Sequence, residues 1–285
     1  MTSVKGKIAG QDVALTDETS RAVATTDFAG DAEQYQEKYA AQDLSIPFLT
    51  IIQGMSPQIK RTHAKYVEGA LPGMIFNTIT QRLIPGDVGL PLIPVMYERC
   101  FIEWIQRDDG GGFVAKYPVE QGEKALIQRN DSNKPIIMAG SPVGTPGNEL
   151  VETASHVVLD LYEGAMQPAI ISMSSTQLKK SRDWNYNLSQ RTADIGGKII
   201  KPARFFWVYK FTTIGESKKD YSWDGWKITP IGDVRDLPNG DEVYAAAKKL
   251  RDDLTAGAVT VDYSKADRGA GDGAAGEREG DKAPF

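Results

Sequence analysis

The chain has very few of the residues that form disulfides and metal sites. Its 285 residues include one cysteine, Cys100, and two histidines, His63 and His156. A single cysteine excludes an internal disulfide, and these three side chains lack the clustered spacing of a structural zinc site. We therefore expect neither a metal nor a cofactor.

Long apolar segments are missing as well. No apolar run approaches the ~18 residues that a membrane-spanning helix needs, and Met1–Lys7 lacks the apolar centre of a signal peptide. Hydrophobic residues make up 41% of the chain and charged residues 25%, as in ordinary globular proteins. We expect a cytoplasmic protein that makes no membrane contact.

The motifs of common enzyme classes are also absent. Gly140–Gly147 has the glycines of a phosphate-binding loop but no Gly-Lys-Ser/Thr ending, and no Gly-x-Ser-x-Gly motif occurs. His156 begins a predicted strand, where we expect a structural role, and the pair Asp108 and Asp109 favours a turn. The sequence therefore predicts a protein without enzymatic activity. A metal-dependent nuclease is the enzymatic alternative, because scattered acids can converge in space.

Acidity is concentrated at the two ends of the chain, whose net charge is −5. Residues 1–43 carry eight acids and four bases, and residues 262–285 carry six acids and four bases. The residues between them hold 24 acids and 25 bases. Because the central part is almost neutral, the global charge does not exclude a nucleic-acid partner.

Two aromatic-rich stretches predict β-hairpins. Leu90–Arg107 and Phe113–Tyr117 flank an Asp-Asp-Gly-Gly-Gly turn signal, and Lys201–Ile228 contains two aromatic and β-branched runs around a polar loop. Side chains alternate between the two faces of a strand. In the second hairpin, the face assigned to the core consists of Phe205, Trp207, Tyr209 and Phe211. The face assigned to the surface carries Arg204, Phe206 and Lys210.

The remaining segments complete a mainly β pattern with a few helices. Further strands are predicted at Met74–Thr80, Ser155–Tyr162 and Ala169–Met173. Capping boxes predict helices at Ser174–Leu188 and Asn239–Leu254, of which the second is amphipathic. Asp31–Gln42 is predicted as a short helix. Residues 118–154 contain a Pro/Gly-rich run and are predicted as a long loop inserted between strands.

Composition divides the chain into three segments. Residues 1–43 are predicted to be flexible apart from the short helix, and residues 44–256 are predicted to form the folded domain. Residues 257–285 are predicted to be a disordered acidic tail, because glycine, alanine and charged residues cannot form a core.

Aromatic and basic residues interleave in three stretches, 97–116, 179–186 and 204–227. This combination binds single-stranded nucleic acid, because cations follow the phosphates while aromatic rings stack on bases, at ~1–3 kcal/mol per base. In the opposing interpretation, the aromatics are core residues and the cations are solvated. The predicted nucleic-acid-binding residues are Tyr97, Arg99, Phe101, Lys116, Lys179, Lys180, Arg182, Trp184, Arg204, Phe206, Lys210 and Trp226.

The C-terminus carries the most specific motif. It is a Gly/Ala-rich tail with acids that ends Asp281-Lys282-Ala283-Pro284-Phe285. It resembles the tail of bacterial and phage single-stranded DNA-binding proteins, where a flexible acidic segment ends in Phe, often after Pro. The resemblance implies that Asp281, Pro284 and Phe285 bind replication or recombination proteins, with Phe285 in an apolar pocket. It also implies that the acids compete with DNA for the binding face.

The order of the predicted elements also resembles phage-encoded single-stranded DNA-binding proteins with an OB-type barrel. The matching parts are the strands between 74 and 117, the helix at 174–184 and the aromatic strands at 203–228. An OB fold is a five-stranded Greek-key barrel, and its known helix lies between strands three and four. The resemblance implies an OB-like barrel that coats single-stranded DNA without sequence preference during phage DNA replication or recombination, in the host cytoplasm. A homo-oligomer fits this class.

A different class of protein fits the same residues. If the aromatic faces belong to the core or to a subunit interface, the chain is a protein–protein interaction module, such as a virion or assembly component or a host-directed inhibitor. Copurification of nucleic acid, followed by a gel shift, separates this alternative from a DNA-binding protein.

Overall fold

The fold is described from a computed structural model. The structure describes residues 7–8, 11–12, 45–106, 109–218 and 221–266. The predicted helix at 31–42 and the end of the predicted tail lie outside these ranges, so both stay predictions.

The chain divides into two compact units, Met1–Asp43 and Leu44–Phe285. In the first unit, strand β1 (Lys7–Ile8) pairs antiparallel with β2 (Gln11–Asp12). The second unit contains every other element named below.

Strands dominate the regular structure of the second unit. In chain order they are β3 (Leu49–Ile51), β4 (Ile75–Asn77), β5 (Leu83–Ile84), β6 (Leu90–Ile105), β7 (Gly112–Pro118), β8 (Ile127–Arg129), β9 (Pro135–Ile137), β10 (Glu149–Asp160), β11 (Gln167–Ser174), β12 (Ala193–Ile195), β13 (Lys198–Ile200), β14 (Trp207–Lys218) and β15 (Tyr221–Asp233). The α-helices described are α1 (Val119–Gly122), α2 (Gln177–Gln190) and α3 (Gly240–Thr255). The predicted mainly β class with a few helices is therefore confirmed.

A long antiparallel pair, β6 with β10, forms the centre of the main sheet. Its pairing runs from Leu92 with Asp160 to Trp104 with Glu149. At one end of this pair, β14 joins β6 and β11 joins β10, and β15 pairs with β14. At the other end, β7 joins β6 and β9 joins β10, and β8 pairs with β9. Both predicted hairpins are present, as β6–β7 and β14–β15.

The strands of the main sheet do not close into a barrel. A smaller sheet, β3–β4–β5, lies beside it, and one parallel bridge joins Phe48 to Ile170 of β11. At the far edge, side chains of α2 contact the backbone of β15: Gln177 accepts from the Trp226 N–H at 3.1 Å. The described strands therefore depart from the predicted Greek-key barrel. The edge at β11 meets the single bridge from Phe48, and the edge at β15 meets side chains of α2, so neither edge pairs with another full-length strand.

The insertion at 118–154 is not the irregular loop that its composition predicts. It contains α1, β8 and β9, and β10 begins within it. The carboxylate of Glu103 on β6 is fully buried and accepts hydrogen bonds from the Tyr117 hydroxyl at 2.6 Å, the Thr145 N–H at 2.8 Å and the Asn148 amide at 2.6 Å. Burial acts to raise the pKa of Glu103, but these bonds outweigh it and hold the pKa below its ordinary value. One buried carboxylate thus fixes part of the insertion to the sheet.

Both predicted helices of the second unit form, but without the predicted capping boxes. Helix α2 begins at Gln177 instead of Ser174, and its N-cap residue Thr176 makes no side-chain cap hydrogen bond. Asn239, the N-cap residue of α3, makes none either. The amphipathic pattern of α3 is confirmed, and its buried residues are Val243, Ala247 and Leu250.

The folded part extends beyond the predicted boundary at residue 256. Tyr263 is 3% exposed and belongs to the main hydrophobic core. Its ring stacks on Phe113 with centroids 6.1 Å apart and lies 5.9 Å from the ring of Phe48. The boundary between domain and predicted tail therefore moves to a point after Tyr263.

Candidate nucleic-acid interface

A groove of about 740 Å³ runs between helix α2 and the hairpin β14–β15. Trp184, Tyr209 and Trp226 line its inner side and are 3%, 2% and 4% exposed. The rings of Trp184 and Tyr209 pack edge to face with centroids 5.5 Å apart. A groove of this volume is large enough to hold a drug-sized ligand or a short stretch of single-stranded nucleic acid.

Lys180 lies at the groove and is held by two acceptors. Its Nζ donates to the Trp226 carbonyl oxygen at 2.6 Å and forms an ion pair with Glu216. The indole N–H of Trp223 donates to the same carboxylate at 2.7 Å. Because its charge is partly compensated, we expect Lys180 to contribute less to anion binding than an unpaired lysine.

Two further cations, Arg191 and Lys227, line the groove. The Cζ atom of Arg191 lies 4.0 Å from the ring centroid of Trp207, a cation–π geometry that orients the guanidinium at the end of α2. Lys227 is exposed on β15. Among the described residues that line the groove, the one acid is Asp183, so the lining is net positive.

The solvent-facing side of α2 adds a second set of cations beside the groove. Lys179, Arg182 and Tyr186 follow one another at spacings of three and four, which places them on one face of the helix. All three are exposed, and Tyr186 is 67% exposed. Within the described ranges, neither cation has an ion-pair partner. We call these three residues the α2 face.

Four of the predicted stacking residues lie in the core instead of on the surface. They are 3–9% exposed: Phe101, Trp184, Phe206 and Trp226. Phe206 is buried because β14 begins only at Trp207, and the preceding 3-10 turn, Arg204–Phe206, interrupts the alternation of a strand. The prediction that these four rings stack on bases is corrected: in this structure they stabilise the fold.

Three further predicted residues lie outside the groove. Tyr97 is half-buried, and Arg99 and Lys116 are exposed but paired with acids. Arg99 Nε lies 2.7 Å from a carboxylate oxygen of Glu152, and Lys116 Nζ lies 2.8 Å from one of Glu98. Their charges are therefore partly compensated within the fold.

The last two predicted residues flank the hairpin. Lys210 lies opposite Thr229, and Thr212 lies opposite Lys227, so Lys210 and Lys227 share one face of β14–β15. Arg204 lies in the 3-10 turn before β14 and is half-buried. The structure thus brings Lys179, Lys180 and Arg182 together at α2, with Lys210 on the neighbouring hairpin.

Sequence reasoning did not select Tyr186, Arg191 and Lys227 as site residues. Tyr186 and Lys227 end the interleaved stretches at 179–186 and 204–227, so the pattern contained a signal for both. Arg191 had no such signal, because its position over Trp207 depends on the packing of α2 against β14.

A buried polar pair, His156 and Ser181, joins α2 to β10. His156 Nε2 lies 2.8 Å from Ser181 Oγ, and both residues are 0% exposed. Burial, followed by the charge of Arg204, lowers the pKa of His156 well below its ordinary value, so the imidazole is neutral. The pair has no access for a substrate and supports the structural interpretation of His156.

Within the described ranges, no three His, Cys, Asp or Glu side chains cluster closely enough to hold a metal ion. None of the helices in this part of the chain is long and apolar enough to cross a membrane. The predicted partner-binding residues Asp281, Pro284 and Phe285 lie outside the described residues.

These features define a mainly β protein with a cation-lined groove between a helix and a hairpin. A family model described as Pam3 phage gp34-like protein matches residues 16–260. Because this match spans most of the sequence, the chain belongs to the Pam3 phage gp34-like family, and thus to a family of phage proteins. No curated protein and no solved structure matches the chain.

Proposed function

We propose that this phage protein binds single-stranded DNA without sequence preference, with the strand lying along the groove and the α2 face. The observation that carries the proposal is the exposed set Lys179, Arg182 and Tyr186 beside a groove lined by Arg191 and Lys227. Cations that contact phosphates next to an exposed ring that stacks on a base are the usual elements of such an interface. The role in infection would be to coat single strands during replication or recombination in the host cytoplasm.

The salt dependence of DNA affinity tests this proposal. Each phosphate that a cation neutralises on a single strand releases counterions and contributes about −0.7 to the slope of log affinity against log salt. Contacts from Lys179, Arg182, Arg191 and Lys227 therefore predict a slope of about −3 for a labelled oligothymidine. A slope near zero, or no binding below ~10 µM at low salt, would contradict DNA binding.

Charge reversal locates the interface. Arg182→Glu and Lys227→Glu should each weaken oligothymidine binding by about tenfold at low salt, because each removes one phosphate contact and adds a repulsive charge. Lys124→Glu is the matched control, since Lys124 is exposed in the insertion and changes the net charge equally. If the control weakens binding as much as the other two, net charge and not this surface determines the affinity.

The tail belongs to the same proposal, with Asp281, Pro284 and Phe285 recruiting replication or recombination proteins. The deletion that tests it should remove residues 267–285, because a deletion from residue 262 would also remove the core residue Tyr263. The shortened chain should bind DNA with equal or higher affinity and should no longer capture such a partner. Weaker DNA binding after this deletion would contradict competition between tail and DNA.

A protein–protein interaction module is the second candidate, and the small hairpin β12–β13 favours it. Its isoleucines are exposed: Ile195 by 40%, Ile199 by 78% and Ile200 by 42%. Exposed apolar side chains clustered on a short ribbon are typical of a contact surface. Purified protein free of nucleic acid, no gel shift, and an oligomer that Ile199→Glu dissociates would together favour this function over DNA binding.

A further inference from the structure

A second cavity, of about 140 Å³, lies where β3 meets the main sheet. Trp226 lines both this cavity and the groove. Ser172 and Thr176 also line the cavity and are exposed, so it is open to solvent. A cavity of ~150 Å³ can hold a benzene-sized molecule, so this one has room for a small ligand. We call it the sheet cavity.

Aromatic rings and hydroxyl groups form much of the lining of the sheet cavity. Three of the five tryptophans of the chain contribute to it: Trp104, Trp223 and Trp226. The face of an indole ring attracts a cation more strongly than the face of any other aromatic side chain. The hydroxyl oxygens, among them those of Ser172 and Thr176, can accept hydrogen bonds from N–H donors. Both kinds of group therefore suit a positively charged ligand that carries N–H donors.

Asp224 is the one charged residue among the described residues that line the sheet cavity. Its backbone is hydrogen-bonded, but within the described ranges its carboxylate has no hydrogen-bond donor and no ion-pair partner. The residue is half-buried on β15, so its side chain is partly removed from water. This burial raises the pKa of Asp224 above its ordinary value.

A carboxylate in this position reduces the stability of the fold, because it loses hydration without gaining a partner. Buried charges are normally paired, and an unpaired titratable group in a cavity is typical of a ligand site. The partner that Asp224 lacks is a cation with N–H donors. An alkylammonium group supplies both, since it carries a positive charge and three N–H donors on an apolar stem.

We propose that the sheet cavity binds an alkylammonium group, which pairs with the carboxylate of Asp224 and packs its stem against the indole rings. The remaining N–H donors of the ammonium would bind hydroxyl oxygens of the lining. The group belongs to a free amine or to a lysine side chain of a partner protein, because both present the same chemistry. The site does not depend on DNA binding in the groove.

Titration with n-butylammonium chloride, followed by tryptophan fluorescence at neutral pH and constant ionic strength, tests the site. The wild type should show a saturable change with a dissociation constant on the order of 1–10 mM, because the ligand has few heavy atoms. Asp224→Asn keeps the shape of the side chain and should weaken binding by about tenfold or more. Asp87→Asn is the matched control, since it removes an exposed carboxylate outside the cavity and should keep the wild-type affinity.

The uncharged analogue n-butanol separates a cation site from a merely apolar cavity. If n-butanol binds the wild type as tightly as n-butylammonium, the cation site is overturned. An Asp224→Asn chain with wild-type affinity would overturn it as well, and so would the lack of a saturable change up to about 100 mM. The comparison with n-butanol uses the wild type alone, so it decides the outcome even if Asp224→Asn does not fold.

Nα-acetyl-lysine amide, whose side chain ends in the same butylammonium group, then separates the two sources. If the site takes a lysine side chain, this compound should bind at least as tightly as n-butylammonium. If the site takes a free amine, the added backbone groups should weaken binding, while n-butylammonium still requires Asp224. None of these measurements uses DNA, so their failure leaves the groove proposal standing, and a lack of DNA binding leaves this site standing.

Discussion

The side-chain amide of Gln53 pairs with the backbone of Asp224 in both directions. Its Nε2 donates to the Asp224 carbonyl oxygen at 2.8 Å, and its Oε1 accepts from the Asp224 N–H at 2.9 Å. Gln53 follows β3 and Asp224 lies on β15, so one side chain replaces the backbone of a neighbouring strand. Nearby, the hydroxyl of Thr213 donates to the carbonyl oxygen of Gly73 at 2.6 Å. The two sheets are thus joined where their strands do not pair.

This relationship predicts that Gln53→Ala lowers the free energy of unfolding by about 1–3 kcal/mol, because it leaves two backbone groups of Asp224 without their partners. Urea denaturation measures the change. Gln121→Ala, on an exposed position of α1, is the control and should change stability by less than about 0.5 kcal/mol. Equal losses in the two variants would show that the Gln53 amide does not connect the sheets.

The buried His156 predicts that stability depends on pH. Its pKa in the folded state lies well below the ordinary 6.5, so the unfolded chain binds this proton first as the pH falls. The contribution of His156 is therefore complete above about pH 6.5 and decreases below it, by about 1.4 kcal/mol per pH unit, until the folded pKa is reached. Urea unfolding at several pH values should show this slope in the wild type and its loss in His156→Gln.

His63 provides the matched control for this experiment. It is exposed, and its Nδ1 accepts a hydrogen bond from the Lys65 N–H at 3.0 Å. His63→Gln should keep the slope of the wild type. If His156→Gln also keeps it, other groups cause the decline and His156 is not held neutral by the fold.

The exposure of the aromatic residues predicts two different classes of variant. Tyr186→Ala should weaken oligothymidine binding by roughly 5- to 150-fold with little change in Tm, because it removes one exposed stacking ring. Phe206→Ala should lower the free energy of unfolding by about 3–5 kcal/mol, because it leaves a cavity in the core. Fluorescence anisotropy and thermal unfolding of both variants separate the two roles. A Tyr186→Ala chain with wild-type affinity would remove Tyr186 from the interface.

The carboxylate of Glu103 predicts that acid weakens the attachment of the insertion. Its folded pKa lies below its ordinary value of 4.5, so its contribution is complete above that pH and is lost as the pH falls through the folded pKa. Glu103→Gln should cost about 2–4 kcal/mol at neutral pH, because three donors lose a charged acceptor. Urea unfolding should show this difference from the wild type shrinking below about pH 4.5. Glu123→Gln, an exposed control, should leave both values nearly unchanged.

The local sequence pattern was sufficient to predict both hairpins and many of their buried residues. In β14, the alternation predicts Trp207, Tyr209 and Phe211 as core, and they are 5%, 2% and 0% exposed. The period of two is a local property of an extended backbone, so it can be recognised without knowing the fold. The same pattern failed at Phe206, in the 3-10 turn before the strand, and at Val208 within it, which is 1% exposed, because the start of β14 is buried on both faces.

The candidate site was predictable only where helical spacing decides exposure. Lys179 and Arg182 belong to a helix that the sequence predicts, and both are exposed. Trp184 and Trp226 also lie among basic and aromatic residues in the sequence. However, Trp184 on α2 and Trp226 on β15 both lie on the inner side of the groove, where packing buries them. Whether an aromatic residue is core or surface depends on the partner element, and the local sequence does not contain that partner.

The sequence by itself determined the mainly β class, the two hairpins, helices α2 and α3, and the almost neutral charge between acidic ends, because these depend on composition and short periods. Only the tertiary structure decided how the sheets are joined and where charges meet. Gln53 and Asp224 are 171 residues apart, and their hydrogen bonds follow from no periodic pattern. The position of Arg191 over the ring of Trp207 likewise depends on how α2 packs against β14. Contacts between distant segments are fixed by packing, which a local pattern cannot specify.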